Sequence, residues 1–226
     1  MRLFAMTFAA IGLSVASASA ATITNGSLTG PVGNSVVPPG WSIARQSPDT
    51  NDVNNNVGGG IPFAATPSVS PDGGTWVGIG GDPIAVVDGA TFNESIATTI
   101  FDLVPNTNYV LSWYAANFGA ETGPGYTGAG AIQALIDGTP IGTGGLLNLG
   151  DGWDLQNVGF LATSATAVLS FQLDPATLTR SYLSIDGVSI RTSVQPIPLP
   201  ASVFLLLGGL ATLGAVGRRR ARRDAA

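Results

Sequence analysis

Residues 109–117, Tyr-Val-Leu-Ser-Trp-Tyr-Ala-Ala-Asn, place an apolar side chain at every second position. Tyr109, Leu111 and Trp113 therefore fall on one face of an extended chain. Because successive side chains of a strand point to opposite faces, this period of two predicts a strand with one face in a core. The turn-forming run at 104–108, Val-Pro-Asn-Thr-Asn, predicts a tight connection just before it.

The same strand pattern recurs along the middle of the chain, at residues 91–100, 130–136, 153–162, 165–173 and 182–191. No long helical period occurs between residues 21 and 195. Short strands separated by turn signals predict an all-β domain, an antiparallel β-sandwich of the jelly-roll kind. Within the segment 91–100, Glu94 is interpreted as a residue of the polar face of its strand, where a solvated side chain is expected.

Two further expectations concern the connections between these strands. The segments 153–162 and 165–173 are predicted to be a pair joined near residues 163–164. Residues 46–74 contain many asparagines, aspartates and glycines and are predicted to be a long surface loop. The run from Asp49 to Asn55 offers hard oxygen ligands but lacks the glycine and distal glutamate of an EF-hand loop, which favours an ordinary loop.

The composition excludes several kinds of chemistry. Cysteine, histidine and lysine are all absent, which removes disulfides, zinc–thiolate sites and the Ser-His-Asp triad. Between residues 21 and 200, three arginines stand against 13 acidic residues, a net charge of −10. This segment lacks the basic surface that nucleic acid requires, so nucleic acid is not an expected partner.

The first twenty residues have the order of a cleavable secretion signal. Arg2 is followed by the apolar run 3–15 and then by the small-x-small pattern of Ala18 and Ala20. This order predicts a signal helix and cleavage after residue 20.

The other end contains a proline motif, an apolar segment and a basic cluster in that order. The motif is Ile197 followed by Pro198, Leu199, Pro200 and Ala201, and residues 201–217 contain no charge. At about 1.5 Å per residue, the segment from Ile197 onward is long enough to cross a bilayer as a helix. The basic tail consists of Arg218, Arg219, Arg220, Arg222 and Arg223. The positive-inside rule places these arginines in the cytoplasm and the middle domain outside it.

This tail resembles the PEP-CTERM class of bacterial sorting signals, in its variant with a Val-Pro-Leu-Pro-Ala-type motif. The resemblance covers roughly residues 195–226. It implies recognition by an exosortase, a membrane-embedded transpeptidase that cuts near the proline motif and passes the protein to the surface or extracellular matrix. A plain single-span anchor is the alternative, and it has the same topology.

These features divide the chain into five parts. They are a signal peptide (1–20), a β-sandwich domain (21–192), a linker with the sorting motif (193–200), a transmembrane helix (201–217) and a cytoplasmic tail (218–226).

The middle domain resembles the galactose-binding-like jelly-roll superfamily, which includes many carbohydrate-binding modules. The matching segments are residues 25–28, 39–41, 103–113, 136–138, 153–160 and 182–190. This resemblance implies a structural calcium that uses Asp186 in the last strand. The family's other acidic ligand follows the Asn-Gly-Ser start, and here Leu28 and Thr29 occupy that position. No other cofactor is expected.

Sugar binding requires exposed aromatic rings with polar neighbours. Trp41, Trp113 and Trp153 lie where the resembling fold buries its rings, which leaves Tyr114 and Tyr126 as the better candidates. With Asn117 and Glu121, Tyr126 is a candidate for lining a shallow glycan site; the alternative, which the residues favour, is an ordinary loop tyrosine.

The resulting functional expectation is a non-catalytic surface or matrix protein that contacts extracellular polysaccharide. A structural surface protein without a ligand and a glycan-processing enzyme are the two alternatives. Only two glutamates, Glu94 and Glu121, are present for a glycosidase pair, and neither position points to a matched pair.

Overall fold

The computed structural model describes residues 20–54, 56–123 and 125–193. They form β1 (Thr22–Ile23), β2 (Ser42–Arg45), β3 (Asp49–Asn51), β4 (Trp76–Val87), β5 (Ala90–Asn93), β6 (Ser95–Phe101), β7 (Asn108–Ala116), β8 (Ile132–Ile136), β9 (Thr139–Thr143), β10 (Asp154–Leu161), β11 (Ala167–Leu173) and β12 (Ser181–Thr192). The all-β prediction is confirmed, because these residues contain strands and no α-helix. A helix capable of crossing a membrane is likewise not found among them.

The strands form two six-stranded antiparallel sheets. Sheet I has the order β1-β6-β11-β8-β9, and β2 also pairs with β6. Sheet II has the order β10-β7-β12-β4-β3, and β5 also pairs with β4. The predicted signal helix, sorting motif, membrane span and arginine tail lie in residues 1–19 and 194–226, outside the described residues.

The main hydrophobic core takes alternate residues from both sheets. Ile96 and Phe171 come from sheet I, and Leu111, Trp113 and Ile185 come from sheet II. The period of two at 109–117 is therefore confirmed: Tyr109, Leu111 and Trp113 are all buried in this core. Burying such side chains stabilises the fold by about 1.5–3 kcal/mol each relative to exposure.

The segment 91–100 is not one strand, because the chain changes sheets within it. Residues up to Asn93 belong to β5 in sheet II, and residues from Ser95 onward belong to β6 in sheet I. Glu94 is the residue between the two strands. The prediction that Glu94 is solvated on a polar face is wrong, because its side chain is only 4% exposed.

The segments 153–162 and 165–173 are strands, as predicted, but they do not pair with each other. β10 pairs with β7 in sheet II, and β11 pairs with β6 and β8 in sheet I. The connection near residues 163–164 therefore runs between the sheets. A short turn between two apolar runs predicts a hairpin, and sequence alone does not distinguish a hairpin from a crossing between layers.

The predicted surface loop at 46–74 begins with a buried strand. β3 pairs with β4 through Asp49↔Gly78 and Thr50↔Val77. Asp49, Thr50 and Asn51 are all buried, so the prediction of a soluble loop is wrong for these three residues. The rest of the segment lies over the face of sheet II that points away from the main core, where Val57 and Phe63 join two smaller apolar clusters.

Candidate functional site

A cavity of about 180 Å³ lies under the loops that cover the outer face of sheet II. We call it the acid cavity, because its lining includes the carboxyl groups of Asp49 and Glu94. Tyr182 and Tyr126 also line it, with apolar side chains such as Val57. Ligand pockets for drug-sized molecules usually exceed about 300 Å³, so this cavity suits a smaller molecule.

Two glycines of β4 provide the space for these side chains. A Cβ at Gly78 would lie 2.0 Å from the Tyr182 hydroxyl oxygen, and one at Gly80 would lie 3.2 Å from Glu94 Oε2. Gly78 and Gly80 are two residues apart, so they lie on the same face of the strand. The ring of Tyr182 therefore lies against bare backbone, and the Glu94 carboxyl reaches the floor of the cavity.

Glu94 lies at the point where the chain passes from sheet II to sheet I, and hydrogen bonds hold it there. The Glu94 backbone N–H donates to the Gly80 carbonyl at 2.9 Å, and the Gly80 N–H donates back to Glu94 Oε2 at 2.6 Å. Ser47 Oγ donates to Oε1 at 2.9 Å. Burial is the main reason that the pKa of Glu94 rises to about 7, and the nearby Asp49 charge raises it further.

Asp49 is held by a second hydrogen-bonded chain. The Ser35 N–H donates to Asp49 Oδ1 at 2.9 Å, and the Tyr182 hydroxyl donates to Oδ2 at 3.1 Å. Asn51 Nδ2 donates in turn to the Tyr182 oxygen at 2.9 Å. Burial raises the pKa of Asp49, while the hydrogen bonds from Ser35 and Tyr182 act to lower it. These two bonds favour the ionised form of Asp49.

Aromatic rings form another wall of the acid cavity. Phe92 and Tyr126 meet edge to face, with ring centroids 6.2 Å apart. The guanidinium carbon of Arg180 lies 5.7 Å from the centroid of Tyr126, at the distance of a cation–π contact. Arg180 also forms an ion pair with the buried Asp82, and its Nε donates to Asp82 Oδ2 at 2.6 Å. Burial raises the pKa of the Tyr126 hydroxyl.

This arrangement is suited to proton transfer. Two carboxyl groups share one small cavity, and burial raises the pKa of both. The Asp49 charge further raises the pKa of Glu94, which favours a proton on Glu94 while Asp49 is ionised. A carboxyl with a pKa near 7 can both donate and accept a proton at neutral pH.

The four predicted glycan contacts do not form one site. Tyr126 lines the acid cavity, whereas Tyr114 lines a separate open cleft of about 680 Å³ on the same sheet. Glu121 is exposed on its loop. Asn117 is fully buried and donates to the carbonyls of Gly128 and Leu147 at 3.0 and 3.1 Å, so it joins two loops and does not reach a surface ligand.

The predicted aromatic core residues divide into two groups. Trp41 and Trp113 lie in the main core, as expected. Trp153 is half-buried on the outer face of sheet II, where it meets Trp76 and Phe118 edge to face with ring centroids 5.6 Å away. This aromatic cluster supports the loops that cover the outer face.

Asp186, the predicted calcium ligand, is a buried acid next to a bulge in β12. Ser70 donates to its Oδ2, while Oδ1 is buried without a hydrogen-bond partner. Burial raises its pKa to about 8, and the charge of Asp72 adds to the rise. Among the described residues, no group of three or more acidic side chains could hold a metal ion.

Comparisons with known proteins bear on the fold. No protein-family model matches the chain, and no curated protein matches it. A cyclase from Fischerella sp. TAU, solved in complex with 4-(1H-indol-3-yl)butan-2-one, is 16% identical with a TM-score of 0.56, over 80% of this chain and 100% of that one. An apo cyclase from Fischerella sp. is 16% identical with a TM-score of 0.53, over 77% and 96%. The CBM22-1 xylan-binding domain from Paenibacillus barcinonensis is 11% identical with a TM-score of 0.40, over 68% and 85%.

The two cyclases correct the functional prediction. Both are enzymes, and each is matched over nearly its whole length. The prediction of a non-catalytic surface or matrix protein rested on a fold shared with binding modules, and enzymes have this fold as well. That prediction, including the conclusion that the chain is not an enzyme, is therefore wrong.

Proposed function

We propose that this chain is an enzyme that catalyses proton transfer on a small uncharged organic molecule in the acid cavity. The observation that carries the proposal is the buried Glu94 carboxyl, which has a pKa of about 7 and lines a cavity together with Asp49. Glu94 gives a proton to the substrate and takes one back from another position, so no further reactant is consumed. Asp49 is the ionised partner.

None of the described residues that line the acid cavity is basic, which argues against an anionic substrate. An anionic molecule would meet two carboxyl groups there, whose charge would repel it at short range. Tyr182 and Asn51 position Asp49, because their hydrogen bonds fix the direction in which its carboxylate points.

Exchange of carbon-bound hydrogen for deuterium tests this proposal without knowledge of the natural substrate. The purified full chain is incubated in D₂O with a panel of small uncharged ketones and alkenes, and deuterium incorporation is followed by mass spectrometry. We expect catalysed exchange in at least one compound, and a rate reduced by about 10²–10⁴-fold in Glu94→Gln, the usual size of a general acid–base contribution.

Glu121→Gln is the matched control, because it removes the chain's other glutamate from an exposed loop. The control is expected to exchange at the unmodified rate. Equal rates in Glu94→Gln and Glu121→Gln, or no exchange with any compound, would contradict the proposal.

We further propose that the enzyme is exported and sorted through its two termini. The charge–apolar–small order of residues 1–20 and the proline motif at 198–201 support a route through a secretion signal and an exosortase-type transpeptidase, with the membrane as an intermediate partner. The domain then works at the cell surface or in the extracellular matrix. The two sheets and their crossings support a jelly-roll topology of the galactose-binding-like kind.

The intact mass of the protein recovered from outside the cytoplasm tests this route. We expect a mass that lacks the first 20 residues and about the last 26, because cleavage near Pro200 removes the apolar segment and the arginines. Substituting Pro198 and Pro200 with alanine is expected to preserve the uncut tail. A wild-type mass that retains Arg218 and the residues after it would instead identify an ordinary anchor.

A further inference from the structure

The walls of the acid cavity differ in character from its floor. The Asp49 and Glu94 carboxyls lie at the floor, beside the bare strand β4, while Phe92 and Tyr126 form an aromatic wall. A proton given by Glu94 to an uncharged molecule leaves that molecule with a positive charge. The chemistry of the remaining lining therefore decides whether such a charge is stabilised.

We infer that the substrate becomes a cation during the reaction, and that Asp49 and the rings of Phe92 and Tyr126 stabilise this cation. The inference rests on the proposed function of Glu94 as the proton donor. In the step itself, the O–H bond of the Glu94 carboxyl breaks, and an electron pair of the substrate forms the new bond to hydrogen. Glu94 becomes a carboxylate, and loss of a proton from a neighbouring position of the cation returns Glu94 to its starting state.

Asp49 is suited to face the positive charge because its own donors favour the ionised form. The Ser35 N–H and the Tyr182 hydroxyl each donate to one of its oxygens. A carboxylate that accepts two such bonds is stabilised in its charged state. Its direction is fixed as well, so little reorganisation is needed when the substrate acquires its charge.

The aromatic wall already holds one cation. Arg180 lies over the ring of Tyr126, and its charge is matched by Asp82, so the guanidinium does not oppose a second cation on the cavity side. Aromatic rings attract a cation by about 0.5–1 kcal/mol at exposed sites and about 2 kcal/mol or more where water is excluded. Besides Asp49, the Tyr126 and Tyr182 hydroxyls line the cavity with Glu94, and burial raises the pKa of both.

Two six-membered rings that differ in charge test the inference. Piperidinium carries a positive NH₂ group where tetrahydropyran carries an uncharged ether oxygen, and their shapes are otherwise alike. Binding of each ring to the full chain is measured by calorimetry at pH 6, where Glu94 is largely protonated. We expect piperidinium to bind at least about tenfold more tightly than tetrahydropyran, which corresponds to about 1.4 kcal/mol.

The preference for piperidinium over tetrahydropyran is expected to fall to less than about threefold in Asp49→Asn and to decrease in Tyr126→Leu. Asp49 is buried and its substitution strains the fold, so the half-buried Tyr126 provides a second, milder variant. Asp88→Asn is the charge control, because it removes one negative charge from the exposed β4–β5 turn and is expected to leave the preference unchanged.

Equal binding of the two rings to the wild type would overturn the inference, as would a preference that survives both Asp49→Asn and Tyr126→Leu. If equal binding is found while deuterium exchange still depends on Glu94, only the cationic intermediate is refuted. If the exchange itself is absent, the proposed function and the inference are both refuted.

Discussion

Gly78→Ala is expected to lower the free energy of unfolding by roughly 1–3 kcal/mol, the usual cost of overpacking a filled site. The new methyl group would lie 2.0 Å from the Tyr182 hydroxyl oxygen. Tyr182 is buried and cannot turn toward solvent without leaving its place between β4 and the covering loops. Its displacement would also break the hydrogen bonds that join it to Asp49 and Asn51.

Urea denaturation of the full chain measures this loss, and the deuterium-exchange rate reports the accompanying damage to the acid cavity. Gly152→Ala is the matched control, because Gly152 is exposed and a Cβ there meets nothing within 4 Å. The packing described for Tyr182 would be disproved if both alanine variants unfolded at the same urea concentration.

Stability is expected to fall as the pH rises from about 4.5 to about 8. In the folded protein the pKa of Glu94 is raised from 4.5 to about 7, and that of Asp186 from 3.8 to about 8, chiefly by burial. The folded state therefore binds protons that the unfolded state has already released, and linkage requires stability to decrease over this window. The shift at Glu94 corresponds to a cost on the order of 3 kcal/mol at alkaline pH.

Single substitutions distinguish the contributions of Glu94 and Asp186 to this pH dependence of stability. Glu94→Gln is expected to reduce the loss of stability between about pH 4.5 and 7. Asp186→Asn is expected to reduce the part of the loss that extends to about pH 8. The measurement is the urea midpoint of each protein at pH steps across this range. A wild-type midpoint that stays constant from pH 5 to 8 would show that neither carboxyl keeps its proton in the folded state.

The strands that pack the main core could be predicted from the sequence, because their side chains alternate between an apolar core and a more polar outer face. Residues 109–117 show this directly, and β7 follows the prediction closely. The change of sheet at Glu94 could not be predicted, because alternation continues through it without a turn signal. The same limit applies near residues 163–164, where a crossing has the appearance of a hairpin.

The acid cavity was harder to predict because its acids look like surface residues. Asp49 lies in a run of polar side chains, and Glu94 follows an asparagine and precedes a serine. Their burial depends on loops from distant parts of the chain, including those that carry Val57 and Tyr126. The sequence predicts Tyr126 as a ligand contact, and Tyr126 lines the cavity, but its partners there are Phe92 and Arg180.

The sequence did contain one signal of the cavity, in the alternating glycines of β4. Within residues 76–81, Trp-Val-Gly-Ile-Gly-Gly, Gly78 and Gly80 occupy one face of the strand, while the apolar Val77 and Ile79 occupy the other. Glycine weakens a strand interior and often marks the close approach of another group. Here the groups that approach are the Tyr182 ring and the Glu94 carboxyl.

The bare face of β4 also bears on how the substrate range of this protein could change over time. Part of the space in the chamber depends on the missing methyl group of Gly80. A single-codon change at Gly80, where a methyl group would lie 3.2 Å from Glu94 Oε2, would narrow the chamber without replacing either acidic residue. Descendants of one ancestral gene could therefore diverge in the molecules they accept while keeping the same proton chemistry.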